Sequence, residues 1–220
     1  LRNALTMSLV TYESAGRIAH IQLNRAEKLN ALSNQLVLEL RDQLEAFQAS
    51  DDRVAIISAA GDKAFSVGAD LKEPPRDPEL WECMPGTGVF IDKPIIAAVH
   101  GYIVGGAYCL VQFCDLCVAD ETADFFYPEA QIGFCGGMIA SHAGRVPYKL
   151  AMEFMLTGKH FDAERAYEAG MVNKVVPKGQ AVEGAMEYAR ILADSAPLVM
   201  SALCRCLLYT SPSPRDTIRS

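Results

Sequence analysis

The chain has no apolar run of the length that a membrane-spanning helix needs, and no cluster of Lys and Arg. Its net charge is −7 at pH 7, so we expect no nucleic-acid partner. The segment Leu1–Thr6 lacks the hydrophobic centre of a secretory leader. We therefore expect a protein that binds neither membrane nor nucleic acid. Its expected location is the cytoplasm, or the mitochondrial matrix if the source is eukaryotic.

Several cofactor and hydrolase motifs are missing as well. The stretch "VGGAYC" is neither G-x-G-x-x-G nor a Walker loop, and the serine elbow G-x-S-x-G does not occur. The four histidines are His20, His100, His142 and His160, and no two have the spacing of metal ligands. We expect no metal and no separately bound cofactor.

Cysteine is present in seven copies, and three of them form the pattern C-x4-C-x2-C: Cys109, Cys114 and Cys117, with Cys135 downstream. This spacing occurs in plant-type two-iron clusters. The residues between the cysteines are mostly apolar and predict a helix end followed by a strand, which would point the thiols in different directions. Buried, reduced thiols are therefore favoured, and a cluster-bearing electron carrier is the alternative from a different class.

Strand and helix patterns alternate along the chain, which favours an α/β fold. A helix is predicted after Ser33, a suitable N-cap, because Leu36, Leu40, Leu44 and Phe47 share one face. Another helix is predicted over Asp162–Gly170, with Asp162 as its cap and Gly170 at its end. Strands are predicted at Arg17–Leu23, Val54–Ser58, Pro94–Val99, Leu116–Asp120, Ala123–Glu129 and Val172–Val176. The segment Glu73–Gly88 contains four prolines and is predicted to be a mobile loop.

Both ends of the sequence look unusual. We expect Met7 to be the initiating residue and residues 8–205 to form one domain. The stretch "CLLYTSPSPRD" from Cys206 resembles a translated sequencing adapter, so residues 206–220 are predicted to be a non-native tail. A genuine disordered tail rich in Pro and Ser is the alternative.

Two glycine-containing loops, "FSVGAD" and "HGYIVGG", each follow a buried strand and lead toward a helical pattern. Glycine lets a ligand approach the main chain, and N–H groups at a helix start favour negative charge. If the loops met, two N–H groups could hold one oxyanion. Spacing alone does not show that the loops meet, and on this evidence alone two structural turns are the favoured interpretation.

Glu129 lies in "ADFFYPEAQIGF", a largely apolar and aromatic stretch. Apolar surroundings raise the pKa of a carboxyl group, as a general base near neutral pH requires. The alternative is a surface carboxylate in a turn after Pro128.

Longer motifs in order then point to a family. They are "NRAEKLNAL", "KAFSVGADLKE", "KPIIAAVHGYIVGGA", "CDLCVADETADF", "PEAQIG" and "FMLTGKHFDAERAYEAGMVNKVV". From about Ser8 to Arg205 the chain resembles the enoyl-CoA hydratase/isomerase (crotonase) superfamily. The resemblance implies a right-handed spiral of ββα units with a helical C-terminal region, here truncated. It also implies a coenzyme A thioester as substrate, and a homotrimer or dimer of trimers if the C-terminus is complete.

The resemblance also implies roles for individual residues. Ala69 and Gly106 match the two oxyanion-hole amides, and Glu129 matches a catalytic carboxylate. The implied substrate-binding residues are Lys28, Leu29, Ala31, Asp70, Leu71, Gly105, Cys109 and Gly137. Among these, Lys28 to Ala31 match the segment along coenzyme A, and Asp70 and Leu71 match the surroundings of the adenine.

One departure from the family pattern bears on the reaction. Typical hydratases carry a second catalytic glutamate at the position of Cys109, and a thiol cannot hold and activate water in the same way. The sequence therefore favours an enoyl-CoA isomerase, in which Glu129 alone moves a proton from C2 to C4. A hydratase, an acyl-CoA hydrolase or lyase and an inactive scaffold are the alternatives. Cys109 is expected to be a pocket wall rather than a nucleophile.

Overall fold

The computed structural model describes residues 8–73, 79–134 and 138–210. These residues form two β-sheets with helices packed around them, so the α/β prediction is confirmed. The strands are β1 (Val10–Ala15), β2 (Ile18–Leu23), β3 (Val54–Ala59), β4 (Ala64–Ser66), β5 (Ile95–Val99), β6 (Tyr102–Val104), β7 (Leu116–Asp120), β8 (Asp124–Phe126), β9 (Phe161–Asp162) and β10 (Lys174–Val176).

The larger sheet has the strand order β1-β2-β3-β5-β7-β10, and only the β1–β2 pair in it is antiparallel. Its central strands β3 and β5 are buried along their whole length. Successive side chains on a strand point to opposite faces. Ala55 and Ile57 accordingly join one apolar cluster, and Val54 and Ile56 join another on the opposite face. A sheet covered on both faces explains the continuous apolar runs in these strands.

The helices are α1 (Asn34–Ala49), α2 (Gly106–Phe113), α3 (Glu129–Ile132), α4 (Tyr148–Thr157), α5 (Ala163–Glu168), α6 (Ala181–Asp194) and α7 (Pro197–Thr210). The predicted N-caps are confirmed for α1 and α5. The Ser33 hydroxyl accepts a hydrogen bond from the N–H of Leu36, and the Asp162 carboxylate accepts one from the N–H of Arg165. Within the described segments, none of the helices is long and apolar enough to cross a membrane.

The smaller sheet has the order β4-β6-β8-β9, and β4, β6 and β8 run parallel to one another. The carboxyl ends of adjacent parallel strands meet at one edge of a sheet, and ligands of open α/β sheets bind there. The segments that leave these three ends begin at Val67, Gly105 and Tyr127. All the residues with a predicted catalytic role lie on these segments.

The proline-rich segment Glu73–Gly88, which was predicted to be a mobile loop, contains a short helix. Leu80–Cys83 form a 3-10 helix, followed by the fully buried Met84. A reciprocal capping box fixes the start of this helix, since the side chains of Glu79 and Glu82 each accept a hydrogen bond from the other residue's N–H. Residues 74–78 lie outside the described part of the chain.

The three cysteines of the C-x4-C-x2-C pattern lie on a helix, at its end and on a strand, as predicted. Cys109 and Cys117 are buried in the apolar core, and Cys114 ends α2. Cys135 is outside the described residues. Among the residues that are described, no three His, Cys, Asp or Glu side chains lie close enough to hold one metal ion.

Candidate active site

The two glycine loops meet, which the sequence had left open. Gly68 follows β4 and packs on the chain that follows β6. A Cβ atom on Gly68 would lie 2.6 Å from the carbonyl oxygen of Val104 and 3.2 Å from the nitrogen of Gly106. No side chain fits in that space, and the φ of +81° at Gly68 also favours glycine. The close approach brings the main chain at Ala69 beside the start of α2.

Two N–H groups are available where the loops meet. A Cβ atom on Gly106 would lie 3.8 Å from the nitrogen of Ala69. Gly106 is the first residue of α2, so its N–H has no partner within the helix. Neither the Ala69 nor the Gly106 N–H donates to another backbone group in the described segments. Two neighbouring donors at the positive end of a helix form a suitable cradle for an oxyanion.

Gly105 holds this arrangement in place. Its N–H donates to the carbonyl of Phe126 at the end of β8, and its carbonyl accepts from the N–H of Cys109. Its φ of 52° and ψ of −115° lie in a region that glycine adopts readily and other residues rarely adopt. The N–H of Gly105 is therefore occupied, whereas the next N–H, that of Gly106, has no backbone partner among the described residues.

Glu129 lies directly beside Gly105. Only 7% of its surface is exposed, and a Cβ atom on Gly105 would lie 2.5 Å from its Oε1. Its Oε2 is buried and has no hydrogen-bond partner among the described residues. Burial raises the pKa of Glu129 from 4.5 to about 7, against a smaller opposing effect from its own N–H. The sequence prediction of a buried carboxyl group with a raised pKa is confirmed, and the alternative of a surface turn is wrong.

Cys109 lies one turn into α2 and is 1% exposed. Burial and, to a smaller extent, the nearby Glu129 carboxylate together raise the pKa of its thiol to about 12. The thiol is therefore neutral at physiological pH, and a neutral thiol is a poor nucleophile. This geometry favours the predicted role of a pocket wall.

The segments predicted to bind coenzyme A lie next to this site. The N–H of Leu32 donates to the carbonyl of Gly68 at 2.8 Å, which pairs the chain after Lys28 with the chain at Ala69. Leu29 is 36% exposed, and Ala31 is buried. Coenzyme A binding by these residues remains a prediction.

Asp70 forms an ion pair with Arg25 at 2.7 Å, and the same guanidinium donates to the carbonyl of Ala31. This contact holds the pKa of Asp70 below its ordinary value. The predicted adenine-site carboxylate is thus also a structural link between the two segments. Leu71 beside it is 86% exposed, and Gly137 falls outside the described residues.

Leu80 also contacts the site, and the sequence analysis did not single it out. Its Cδ2 occupies the space that a Cβ atom on Gly106 would need, so such a Cβ would overlap the leucine side chain. The residue lies in the segment that was predicted to be a loop. The spacing of Glu79 and Glu82 was the available signal, because it is the spacing of a capping box at a helix start.

Comparisons with known proteins agree with this geometry. The sequence model of the enoyl-CoA hydratase/isomerase family matches residues 13–212. The (E)-benzylidenesuccinyl-CoA hydratase of Thauera aromatica is 33% identical over 220 aligned residues, covering 94% of this chain and 85% of that protein. The mitochondrial enoyl-CoA hydratase of Pongo abelii is 37% identical, covering 81% of this chain and 64% of that protein.

A solved structure, the carnitinyl-CoA hydratase of Mycobacterium avium, superimposes with a TM-score of 0.82 at 33% identity. The match covers 92% of this chain and 81% of that one. The chain belongs to the enoyl-CoA hydratase/isomerase family and has the crotonase fold. The chain is therefore a member of an enzyme family, and its expected substrates are acyl-CoA thioesters. The family model names both reactions, whereas the names of these relatives support a hydratase more directly than the isomerase that the sequence analysis favoured.

Proposed function

We propose that the chain adds water to a 2-enoyl-CoA thioester, or removes it from a 3-hydroxyacyl-CoA, with Glu129 as its single catalytic carboxylate. The observation that carries this proposal is the position of Glu129 against Gly105, the residue that precedes the free N–H of Gly106. A base and an oxyanion cradle thus lie side by side. The hydratase and dehydratase names of the relatives favour water as the second reactant.

The thioester oxygen would accept hydrogen bonds from the N–H groups of Ala69 and Gly106. These donors stabilise the enolate more than the neutral thioester, and each such donor commonly contributes about 3 kcal/mol to the barrier reduction. The N-terminus of α2 adds positive potential at the same place. The cradle therefore makes C3 of the 2-enoyl thioester electrophilic for hydration. In the reverse reaction it makes the proton on C2 of the 3-hydroxyacyl thioester acidic.

Hydration can proceed with one carboxylate in two steps. The Glu129 carboxylate takes a proton from water as the water oxygen bonds to C3, and the π electrons move onto the thioester oxygen. The enolate then collapses, and C2 takes the proton from the neutral Glu129. A pKa near 7 suits a group that must both accept and return a proton at neutral pH.

Double-bond isomerisation is the second candidate, and Cys109 is the observation that favours it. Its neutral thiol provides no second carboxylate to orient a water molecule. In that reaction Glu129 takes a proton from C2 of a 3-enoyl thioester, and the resulting dienolate takes the proton back at C4. The same cradle and the same base serve both reactions.

The test is to incubate the protein with 2-butenoyl-CoA and, separately, with 3-butenoyl-CoA in ¹⁸O-labelled water. We expect a 3-hydroxybutanoyl-CoA that carries one heavy oxygen from the 2-enoyl substrate. Conversion of the 3-enoyl substrate without any gain in mass would replace hydration by isomerisation. Heavy oxygen in a released free acid would indicate a thioester hydrolase, and turnover of neither substrate would overturn the proposal.

A further inference from the structure

The two glycines at the start of α2 face different walls of the candidate site. A Cβ atom on Gly105 would overlap the carboxylate of Glu129, and a Cβ atom on Gly106 would overlap the side chain of Leu80. The oxygen held by the Gly106 N–H must lie within hydrogen-bond distance of that nitrogen. Leu80, whose Cδ2 fills the space that a Cβ atom on Gly106 would occupy, therefore lies close to the thioester group held there.

Leu80 is held at this position by contacts on several sides. Arg41 on α1 donates to the Glu82 carboxylate at 2.8 Å, and Glu82 also accepts from the N–H of Glu79. Cys83 is fully buried at the other end of the same short helix.

Gly88 packs so closely on the backbone of Trp81 and Glu82 that no side chain fits there. Packing of this kind fixes the backbone that carries Leu80. The leucine is thus part of a fixed wall of the site.

We infer that Leu80 is a specificity-determining residue that restricts the site to acyl-CoA thioesters without a branch at C2, an assignment that rests on the proposed acyl-CoA function. The space beside Gly106 is filled by the Leu80 methyl group, so a C2 methyl would compete for it. The same methyl excludes water from one side of the oxyanion, which strengthens the two N–H contacts. Leu80 takes no part in the proton transfer.

The experiment measures binding, because binding does not depend on which reaction the enzyme performs. Butanoyl-CoA and 2-methylbutanoyl-CoA are saturated and differ by one methyl group at C2. Their dissociation constants are measured by calorimetry for the unaltered protein and for Leu80→Ala, Leu80→Val and Leu198→Ala. Leu198 is the matched control, since it lies on α7 and is 85% exposed.

The expected result is that the unaltered protein prefers the straight chain and that Leu80→Ala reduces this preference about tenfold, as the loss of a contacting methyl group does in an apolar pocket. Leu80→Val should give a smaller reduction, and it tests the inference even if Leu80→Ala does not fold. Leu198→Ala should leave the preference unchanged.

Three results would overturn the inference. An unchanged preference in both Leu80 variants would show that Leu80 does not face C2. Equal tightening of both ligands would show that Leu80 blocks the whole site. Binding of neither ligand would remove the acyl-CoA site and the inference together. Binding without turnover of 2-butenoyl-CoA would instead contradict only the proposed reaction.

Discussion

The carboxylate of Glu129 occupies the space into which a side chain on Gly105 would project. A Cβ atom there would lie 2.5 Å from Oε1, well inside the contact distance of carbon and oxygen. Glycine is therefore favoured at position 105 for two reasons, its positive φ and the room that it leaves to the proposed base Glu129. The predictions below begin from this pair.

Gly105→Ala is expected to lower kcat by at least about a hundredfold, because the added methyl must displace the Glu129 carboxylate from the reacting carbon. Gly16→Ala is the matched control, since Gly16 also has a positive φ but has open space around its Cβ direction. Both changes strain the backbone, so both should lower the free energy of unfolding. Steady-state kinetics beside chemical denaturation separate the effects, and equal kcat values in the two variants would contradict this account.

Glu129→Gln keeps the shape of the side chain but removes the base. Turnover should fall by about a thousandfold, the usual contribution of general acid–base catalysis, while the dissociation constant for a saturated acyl-CoA should change little. Glu45→Gln, on the exposed side of α1, should change neither quantity. Turnover of Glu129→Gln near that of the unaltered protein would exclude Glu129 as the catalytic base.

The activity should depend on pH with a midpoint set by Glu129. Its pKa is raised to about 7, so the carboxylate needed to accept a proton is lost as the pH falls below that value. The expected profile of kcat/KM has an acid limb centred near pH 7. A limb centred near pH 4.5 would mean that the essential carboxyl group is exposed to solvent and is not Glu129.

The same buried carboxyl group should make the fold less stable as the pH rises. The pKa is about 7 in the folded chain and 4.5 ordinarily, so the folded state binds more protons between these values. The free energy of unfolding therefore falls as the pH rises through that window, by roughly 3 kcal/mol. Urea denaturation at pH 4.5 and pH 8 should show this fall, and Glu129→Gln, which has no charge to bury, should show a smaller one.

Cys109 is expected to be inert. Because burial holds the pKa of its thiol at about 12, iodoacetamide should not alkylate it in the folded protein at pH 8, whereas the exposed Cys206 should react. Cys109→Ala should retain turnover within about tenfold of the unaltered protein, as expected for a wall residue. A burst of free coenzyme A together with a covalent acyl group on Cys109 would instead make it a nucleophile.

Much of the site could be predicted from the sequence because its parts lie in short, distinctive segments. The apolar runs of β3 and β5 predicted buried strands, and Ser33 and Asp162 predicted helix starts, since these features act locally. The glycines after β4 and β6 predicted close approach of a ligand to the main chain. The apolar stretch around Glu129 predicted its raised pKa.

What the sequence left undecided depends on contacts between distant segments. The meeting of Gly68 with Gly106 follows from the pairing of β4, β6 and β8, which no local pattern encodes. Leu80 was missed for a related reason. The prolines in its segment suggested a loop, whereas the Arg41–Glu82 ion pair and the packing of Gly88 hold a short helix there. The reaction could not be predicted either, because a cysteine at position 109 excludes a second carboxylate there but does not select a chemistry.

Because Gly68 packs closely on Val104 and Gly106, enzymatic activity should depend on whether the smaller sheet has folded. The two proposed oxyanion donors, Ala69 and Gly106, follow strands β4 and β6, which pair only in the smaller sheet, and neither loop contains both donors. A partly folded chain with only its larger sheet intact should therefore bind no enolate and turn over no thioester. Enzymatic activity recovered during refolding would report the formation of the smaller sheet, which far-ultraviolet spectra do not distinguish from that of the larger sheet and the helices.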